Sequence, residues 1–216
     1  MDPRSFIFIP DDFELSPHLF HISEKYQGFI RTLYATAETI HNRVQSLTEE
    51  ILIDCGDNSL VILCILEGGF RFCKDLHEFI GKKREGSNNC CKVKYIRVKS
   101  HSSGQQKEVV IDGLDSIDIE GKYVLIVDDL VDSGNTLYKI SEIIRKKGPA
   151  YLKIAVSAYK RNPRNTVIMP DFIGFSIPNE AVIGYCMDFN GNFRDFEHIA
   201  ALNDEGREHF KSKFPN

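Results

Sequence analysis

Residues 123–136 read YVLIVDDLVDSGNT, and this stretch carries most of the information about the fold. Its first five residues are apolar and mostly β-branched, which is typical of a strand buried on both faces of a parallel sheet. Two carboxylates, Asp128 and Asp129, follow at once, and a short polar loop over 132–136 then opens a helix predicted to end before Gly148-Pro149. A buried strand that leads through such a loop into a helix indicates a βαβ unit, whose ligands bind at the carboxyl end of the strand.

Strands and helices alternate on both sides of this unit. A second continuous apolar run over 59–66 predicts another buried strand, and Gly68-Gly69 separates it from a helix predicted over 70–80. Apolar residues at helical spacing from Leu33 to Ile51 predict an earlier helix. Further strands are predicted over 93–99, 152–159, 172–177 and 182–186, with polar loops over 81–92 and 101–107. The alternation predicts an α/β fold, doubly wound, with a mostly parallel sheet flanked by helices.

The domain organisation follows from the length of the chain and from the alternation of predicted strands and helices. A chain of 216 residues fits one domain. The alternating core extends over about residues 31–186. Residues 1–30 and 187–216 lack this alternation of strands and helices. We expect them to pack together as a small second lobe, called the hood lobe below.

Composition excludes several classes of function. The chain has 27 Lys and Arg against 31 Asp and Glu, a net charge of −4, which is unlike the basic footprint of a protein that binds a nucleic acid polymer. No apolar run is long enough to span a membrane, and the first residues are unlike a secretory signal. The six cysteines form no Cys-x-x-Cys pair, so we expect a cytoplasmic protein. The adjacent Cys90 and Cys91 are either inert thiols or a redox pair.

The loop over 132–136 suits a phosphate group. It precedes a helix, so its backbone N–H groups lie at the positive end of the helix dipole. Gly134 allows a ligand to approach the backbone closely, and the hydroxyls of Ser133 and Thr136 add donors.

The acids before that loop suit a different chemical group. Asp128 and Asp129 can accept hydrogen bonds from hydroxyls or bind a metal ion, so a sugar phosphate would satisfy acids and loop together. The alternative is that these residues only cap the helix. Capping accounts for Asp132 or Ser133, but it does not account for three acids within five residues directly after a buried strand.

The stretch resembles the signature of the type I phosphoribosyltransferases, which bind phosphoribosyl pyrophosphate. Other motifs occur in the same order as in the hypoxanthine-guanine phosphoribosyltransferases of that family. They are LEGG at 66–69, KR at 160–161, PDFIGF at 170–175, VIGY at 182–185, DFN at 188–190 and FRD at 193–195. The similarity extends from about residue 18 to about residue 212, so the chain is identified as a divergent member of this family.

The resemblance implies a role for each part of the motif. The 5′-phosphate would bind at 132–136, the ribose hydroxyls at Asp128 and Asp129, and Asp132 would be the catalytic base and acid at purine N7. Lys160 would donate to the 6-oxo group of hypoxanthine or guanine. The full set of implied substrate-binding residues is Glu67, Gly68, Asp128, Asp129, Leu130, Val131, Ser133, Gly134, Asn135, Thr136, Lys160, Glu180, Ala181, Val182, Asp188 and Arg194.

The resemblance also implies a pyrophosphate and metal site. The turn at 66–69 would present backbone N–H groups to pyrophosphate through a cis peptide, and Arg194 would contact the same group. Magnesium would be the cofactor, because a pyrophosphate leaving group beside carboxylates needs a hard cation. Its implied ligands are Asp188, Asp128 and Asp129. Ser100 and His101 would belong to a lid, and the assembly would be a homodimer or homotetramer.

Some positions depart from the family pattern. Ala181 stands where the family has an aromatic residue that stacks on the purine, and Glu67 replaces a lysine in the pyrophosphate turn. His101 replaces a tyrosine in the lid, and Asn135 replaces a lysine in the phosphate loop. The residues implied in catalysis, in metal binding and in base selection, namely Asp132, Asp188 and Lys160, are retained.

Three functional hypotheses follow. The first is a purine salvage enzyme that transfers the phosphoribosyl group to hypoxanthine or guanine, giving IMP or GMP and pyrophosphate. The second is a divergent paralogue that binds nucleotides with weak activity or a shifted base preference. The third, a receiver-type domain with Mg²⁺ on Asp128 and Asp129, needs an acidic pair near the start of the chain, whereas this pair lies in the middle.

Overall fold

A computed structural model describes residues 5–86, 91–103, 106–165 and 167–211. The strands are β1 (Ile7–Phe8), β2 (Ile30–Ala35), β3 (Leu60–Leu66), β4 (Cys91–Ser103), β5 (Gln106–Asp112), β6 (Tyr123–Val131), β7 (Tyr151–Lys160), β8 (Phe172–Ile177), β9 (Val182–Ile183) and β10 (Ile199–Leu202). The helices are α1 (Ala37–Cys55), α2 (Phe70–Lys83), α3 (Asn135–Arg145) and α4 (Asp204–His209). Cys90, one of the two adjacent cysteines noted in the sequence, lies outside the described residues.

The described strands form one large sheet and one small sheet. The large sheet has seven strands in the order β1-β8-β7-β6-β3-β4-β5. Every neighbouring pair in it is parallel except β4 and β5. The predicted α/β fold with a mostly parallel sheet is therefore confirmed.

Helices cover both faces of the large sheet. Alternate residues of β3 face opposite ways, so Ile62 packs in the same core as α1 and α2, whereas Leu63 packs in the core that contains α3. Both side chains are fully buried. Burial on two faces explains why β3, from Leu60 to Leu66, is apolar at every position rather than at every second one.

The small sheet brings distant parts of the chain together. It is antiparallel, in the order β2-β10-β9. A separate apolar cluster backs it and includes Ile22 and Tyr26 from the beginning of the chain and Phe193 and Phe196 from its end. The boundaries given above for the core and the hood lobe stay a prediction.

Two predicted elements differ from those in the structure. Leu33 lies in β2, and α1 begins at Ala37 after the N-cap Thr36, whose side chain accepts a hydrogen bond from the N–H of Thr39. The predicted strand over 182–186 ends at Ile183, because Tyr185 and Cys186 have positive φ values of 50° and 79° that an extended strand does not allow.

Two predicted polar segments are strands instead. Of the region expected to be a loop at 101–107, the described residues 101–103 and 106–107 belong to a hairpin, in which the backbones of β4 and β5 pair from Arg97 with Asp112 up to Ser103 with Gln106. Strand β6 continues past residue 127 to Val131, because β7 runs beside it and pairs Val131 with Tyr159. Asp128 and Asp129 therefore lie within the strand rather than after it.

No helix in the described ranges is both long enough and apolar enough to cross a membrane.

Arg43 fastens α1 to the edge of the large sheet. Its side chain is 5% exposed, and its Nη2 donates to the carbonyl oxygens of Ile173 and Ser5, each at 2.9 Å. Its Nη1 donates to Glu50 at 2.8 Å. Because α1, β8 and the segment before β1 share one buried cation, its removal leaves several polar groups without partners at once.

We therefore expect Arg43→Ala to lower the free energy of unfolding by about 2–4 kcal/mol. Chemical denaturation measures this change. The matched control is Lys83→Ala, which removes a half-exposed ion pair with Glu49 and should cost less than about 1 kcal/mol. Equal effects of the two substitutions would contradict the role given to Arg43.

Candidate active site

The carboxyl ends of the central strands open into two adjoining cavities. The larger has a volume of about 690 Å³, and the smaller about 150 Å³. The larger is lined by Leu130, Asp132, Lys160, Asn179, Glu180, Ala181, Val182, Asp188, Phe189 and Arg207. The smaller is lined by Asp128, Leu130, Val131, Asp132, Ser133, Gly134, Thr136 and Leu137. Leu130 and Asp132 line both, so residues predicted from separate motifs meet in one place.

The smaller cavity lies over the start of α3. Gly134 is the residue before this helix and has a φ of 75°. A Cβ atom there would lie 2.5 Å from Oδ1 of Asn165, so both the conformation and the space require glycine. Asn135 and Thr136 lie in the first turn of α3, where backbone N–H groups have no acceptor within the helix. Such a site binds anions.

Asp128 and Asp129 lie half-buried at the end of β6. Asp128 accepts a hydrogen bond from the N–H of Asp129 at 3.0 Å, and Asp129 accepts one from the N–H of Leu130 at 2.8 Å. Burial raises the pKa of both carboxyls, and the neighbouring Asp129 raises the pKa of Asp128 further. Carboxyl oxygens can accept hydrogen bonds from hydroxyl groups.

Asp132 is held by two donors at the junction of the cavities. The Nζ of Lys160, which is buried at the end of β7, donates to its Oδ2 at 3.1 Å, and the Nδ2 of Asn162 donates to its Oδ1 at 2.5 Å. Partial burial raises the pKa of Asp132, but the two hydrogen bonds outweigh this effect, so the pKa lies below its usual value. Asp132 is therefore ionised at neutral pH and can accept a proton.

The turn after β3 packs against the acids of β6. The peptide bond between Leu66 and Glu67 is cis, as the resemblance implied. At Gly68 a Cβ atom would lie 1.9 Å from Oδ2 of Asp129, so the absence of a side chain allows this carboxylate its position. The backbone oxygen of Glu67 accepts a hydrogen bond from the thiol of Cys186 at 3.4 Å.

Arg194 lies between two carboxylates. Its Nη2 is 2.7 Å from Oδ1 of Asp188, and its Nε is 3.6 Å from Oε2 of Glu67. Its Nη1 also donates to the backbone oxygen of Cys186 at 2.7 Å. The unusual Glu67 is thus compensated by an arginine, and a second one, Arg97, lies 3.9 Å from its carboxylate.

The predicted metal ligands do not form a cluster of their own. Within the described residues, no three His, Cys, Asp or Glu side chains are grouped so that they could hold a metal ion. Mg²⁺ in proteins is commonly bound by one or two carboxylates together with phosphate oxygens of a substrate. The described residues thus form no closed protein cage, and a site completed by substrate phosphates is the kind that Asp188, Asp128 and Asp129, whose metal binding stays a prediction, would have to provide.

The remaining predicted residues have different surroundings. Glu180 is bound by two residues of β2, because its Oε2 accepts from Arg31 at 2.6 Å and from Tyr34 at 3.1 Å. Ala181 and Val182 line the larger cavity. The backbones of Ser100 and His101 pair in the β4–β5 hairpin, while their side chains lie outside the described part of the chain.

Sequence reasoning missed Asn162 and Arg207. Neither had a predicted role, although the first bonds Asp132 and the second lines the larger cavity. Phe189, which also lines this cavity, belongs to the DFN motif recognised in the sequence. Asn162 lies only two residues after Lys160, and this proximity was the one available signal.

Comparisons with known proteins agree with this geometry. The family model described as the phosphoribosyl transferase domain matches residues 34–190. The chain belongs to the type I phosphoribosyltransferase family. The recognition made from the motifs is therefore confirmed.

Individual relatives fall into two groups. The Homo sapiens hypoxanthine-guanine phosphoribosyltransferase is 33% identical over 198 residues, which cover 90% of this chain and 91% of that protein. The Homo sapiens phosphoribosyltransferase domain-containing protein 1 is 35% identical over 198 residues, which cover 90% of this chain and 88% of that protein. A crystal structure of the Schistosoma mansoni hypoxanthine-guanine phosphoribosyltransferase in complex with IMP is similar with a TM-score of 0.79 and 27% identity, over 95% of this chain and 99% of that one.

The contact between Gly68 and Asp129 yields a prediction. We expect Gly68→Ala to displace the Asp129 carboxylate and to weaken binding of phosphoribosyl pyrophosphate by about ten- to a hundredfold, measured by titration calorimetry. The fold should survive, because the displaced atoms belong to a side chain. The control Gly81→Ala adds a methyl group in α2 with no described atom within 4 Å, so it should leave binding unchanged. Wild-type affinity in Gly68→Ala would contradict the role of this contact.

The hydrogen bond from Asn162 yields a second prediction. We expect Asn162→Ala to raise the pKa of Asp132, because it removes one of the two bonds that favour the ionised form. The acid limb of the pH profile of activity should then move to higher pH, since activity needs Asp132 ionised. In an Asp132→Asn background the same substitution should leave the profile unmoved. An acid limb at the wild-type pH in the single variant would refute the assignment.

Proposed function

We propose that this phosphoribosyltransferase transfers the 5-phosphoribosyl group from phosphoribosyl pyrophosphate to hypoxanthine or guanine, giving IMP or GMP and pyrophosphate. The observation that carries the proposal is the position of Asp132. It lines both the anion-binding cavity at α3 and the larger cavity, and it is hydrogen-bonded to Lys160 there. A proton acceptor at the boundary between a phosphate site and a base site is what glycosidic bond formation at a purine requires.

Each part of the substrate has a complementary part of the site. The 5′-phosphate would bind the first-turn N–H groups of α3, and the ribose hydroxyls would hydrogen-bond Asp128 and Asp129. Lys160 has only donors, so it favours a 6-oxo group, which accepts, over a 6-amino group, which donates. Asp132 would take the N7 proton as the bond to C1′ forms.

The pyrophosphate part would bind beside the turn at Glu67. Arg194 is held there between Glu67 and Asp188, and it would exchange these partners for phosphate oxygens. Asp188, with Asp128 and Asp129, would hold Mg²⁺. When bound, the ion would neutralise charge on the leaving pyrophosphate. A homodimeric or homotetrameric assembly remains a prediction from the family resemblance.

A second function is favoured by two observations. The chain is as similar to phosphoribosyltransferase domain-containing protein 1, at 35% identity, as to hypoxanthine-guanine phosphoribosyltransferase, at 33%. Ala181 also leaves the larger cavity without an aromatic side chain at that position. Both fit a paralogue that binds nucleotides but turns over slowly or prefers another base. The retained Asp132 and Lys160 favour the enzyme.

An assay with phosphoribosyl pyrophosphate and Mg²⁺, supplied in turn with hypoxanthine, guanine, xanthine and adenine, distinguishes the two functions. We expect turnover of 6-oxopurines but not of adenine. Asp132→Asn should lower kcat by about 10²- to 10⁴-fold, the usual contribution of a general acid or base.

The matched control is Asp115→Asn. The Asp115 side chain is 99% exposed, and it pairs only with Lys147 among the ion pairs of the described residues, so activity should stay at the wild-type level. Binding of IMP or GMP without turnover of any base would favour the paralogue instead.

A further inference from the structure

The larger cavity offers a purine few surfaces on which to stack. A base bound between flat groups gains roughly ten- to a hundredfold in affinity for each stacked face. Among the described residues that line this cavity, two side chains carry a large planar group, namely Phe189 with its ring and Arg207 with its guanidinium. Tyr185 offers no surface here, because its hydroxyl donates to Asp75 and the residue is 2% exposed.

Phe189 has a structural task of its own. Its side chain is partly buried against the apolar cluster that backs the small sheet, which includes Phe193 and Tyr26. Its backbone also closes a tight turn with Asn192. Movement of this ring toward a ligand would remove it from the apolar cluster.

Arg207 and Ala181 both line the larger cavity and are linked through Leu202. Its Nη2 is 3.5 Å from the backbone oxygen of Leu202, and the N–H of Leu202 donates to the backbone oxygen of Ala181 at 3.1 Å. The guanidinium therefore lies at the end of the β9–β10 pairing, at the wall of the cavity where the small side chain of Ala181 leaves space.

The guanidinium is weakly held. Its ion pair with Asp204 is long, at 3.4 Å, and the Asp204 side chain is fully exposed. Its Nε is buried and has no hydrogen-bond partner among the residues that the structure describes. A planar cation with weak partners and an unused donor can turn toward a ligand at little cost.

We propose that Arg207 covers the face of the bound purine, with its guanidinium stacked on the base beside Ala181. This inference rests on the proposed function and adds a specificity-determining residue to it. The flat guanidinium stacks on bases as aromatic rings do, whereas the ammonium of lysine does not. Arg207 thus selects a planar base and has no part in binding the phosphoribosyl group.

The test compares steady-state constants of the full chain. Arg207→Ala should raise the KM for the base about tenfold or more and leave the KM for phosphoribosyl pyrophosphate unchanged. Arg207→Lys keeps the charge and should show the same defect. Ala181→Phe supplies a different flat surface and should restore most of the lost affinity in the Arg207→Ala background. Lys211→Ala removes an exposed cation of the same segment and should behave as wild type.

Several outcomes would overturn the inference. A wild-type KM for the base in Arg207→Ala would do so, and a raised KM in Phe189→Leu would then identify Phe189 as the stacking residue. Wild-type behaviour of Arg207→Lys would show that charge, and not stacking, is used. If Ala181→Phe did not restore affinity for the base in the Arg207→Ala background, the lost affinity would not be due to stacking by Arg207.

Calorimetry with IMP separates this inference from the proposed function. A protein without turnover in which Arg207→Ala weakens binding of IMP but not of ribose 5-phosphate would keep the inference and refute the enzyme. If neither the wild-type protein nor the variants bind IMP, both proposals fail. Thermal unfolding of each variant excludes loss of the fold as the cause.

Discussion

Strand β6 lies between β3 and β7, and parallel backbone ladders hold the three strands in a fixed register. Cys64 pairs with Val127 on one side, and Val131 pairs with Tyr159 on the other. Because all three strands end at one edge of the sheet, the Glu67 turn, the acids of β6 and Lys160 come together without any direct sequence relation. The interior of these strands is apolar and fully buried, so a slip in register would place charged residues in the core. The burial of apolar residues that stabilises the core therefore also fixes the positions of the site residues.

Several charged groups of the site form ion pairs within the protein. Asp132 is paired with Lys160, Arg194 with Asp188 and Glu67, and Glu180 with Arg31. A substrate has to replace these partners, so the cost of each exchange depends on burial. The Glu67 carboxylate is 63% exposed and 3.6 Å from Arg194, so that contact contributes at most about 1 kcal/mol. The pair between Asp132 and Lys160 is less exposed on the lysine side, and its opening is coupled to the hydrogen bond from Asn162.

Local sequence patterns correctly predicted the elements whose structure depends on residues close to one another in the chain. The continuous apolar runs in β3 and β6 were correctly predicted to be strands, because burial on two faces requires an apolar residue at every position. The same patterns failed where distant parts of the chain decide the structure. Leu33 has helical spacing relative to α1, but its N–H donates to the backbone oxygen of Leu15 and the residue belongs to a strand. Asn162 and Arg207 were missed for the same reason, since Asn162 bonds Asp132, 30 positions earlier, and Arg207 lines a cavity together with Lys160, 47 positions earlier.

The departures from the family pattern carry unequal weight when their surroundings are compared. Glu67 changes the charge of the pyrophosphate turn, yet Arg194 and Arg97 both lie within 4 Å of its carboxylate and offset it. Ala181 has no such compensation by charge, because what it lacks is a flat surface, which an ion pair cannot replace. The phosphate loop and the proton acceptor are formed by backbone geometry and by hydrogen bonds that these departures leave in place. Of Glu67 and Ala181, the latter is therefore the change that the surrounding charges do not offset, whereas the proposed proton acceptor Asp132 keeps both of its hydrogen bonds.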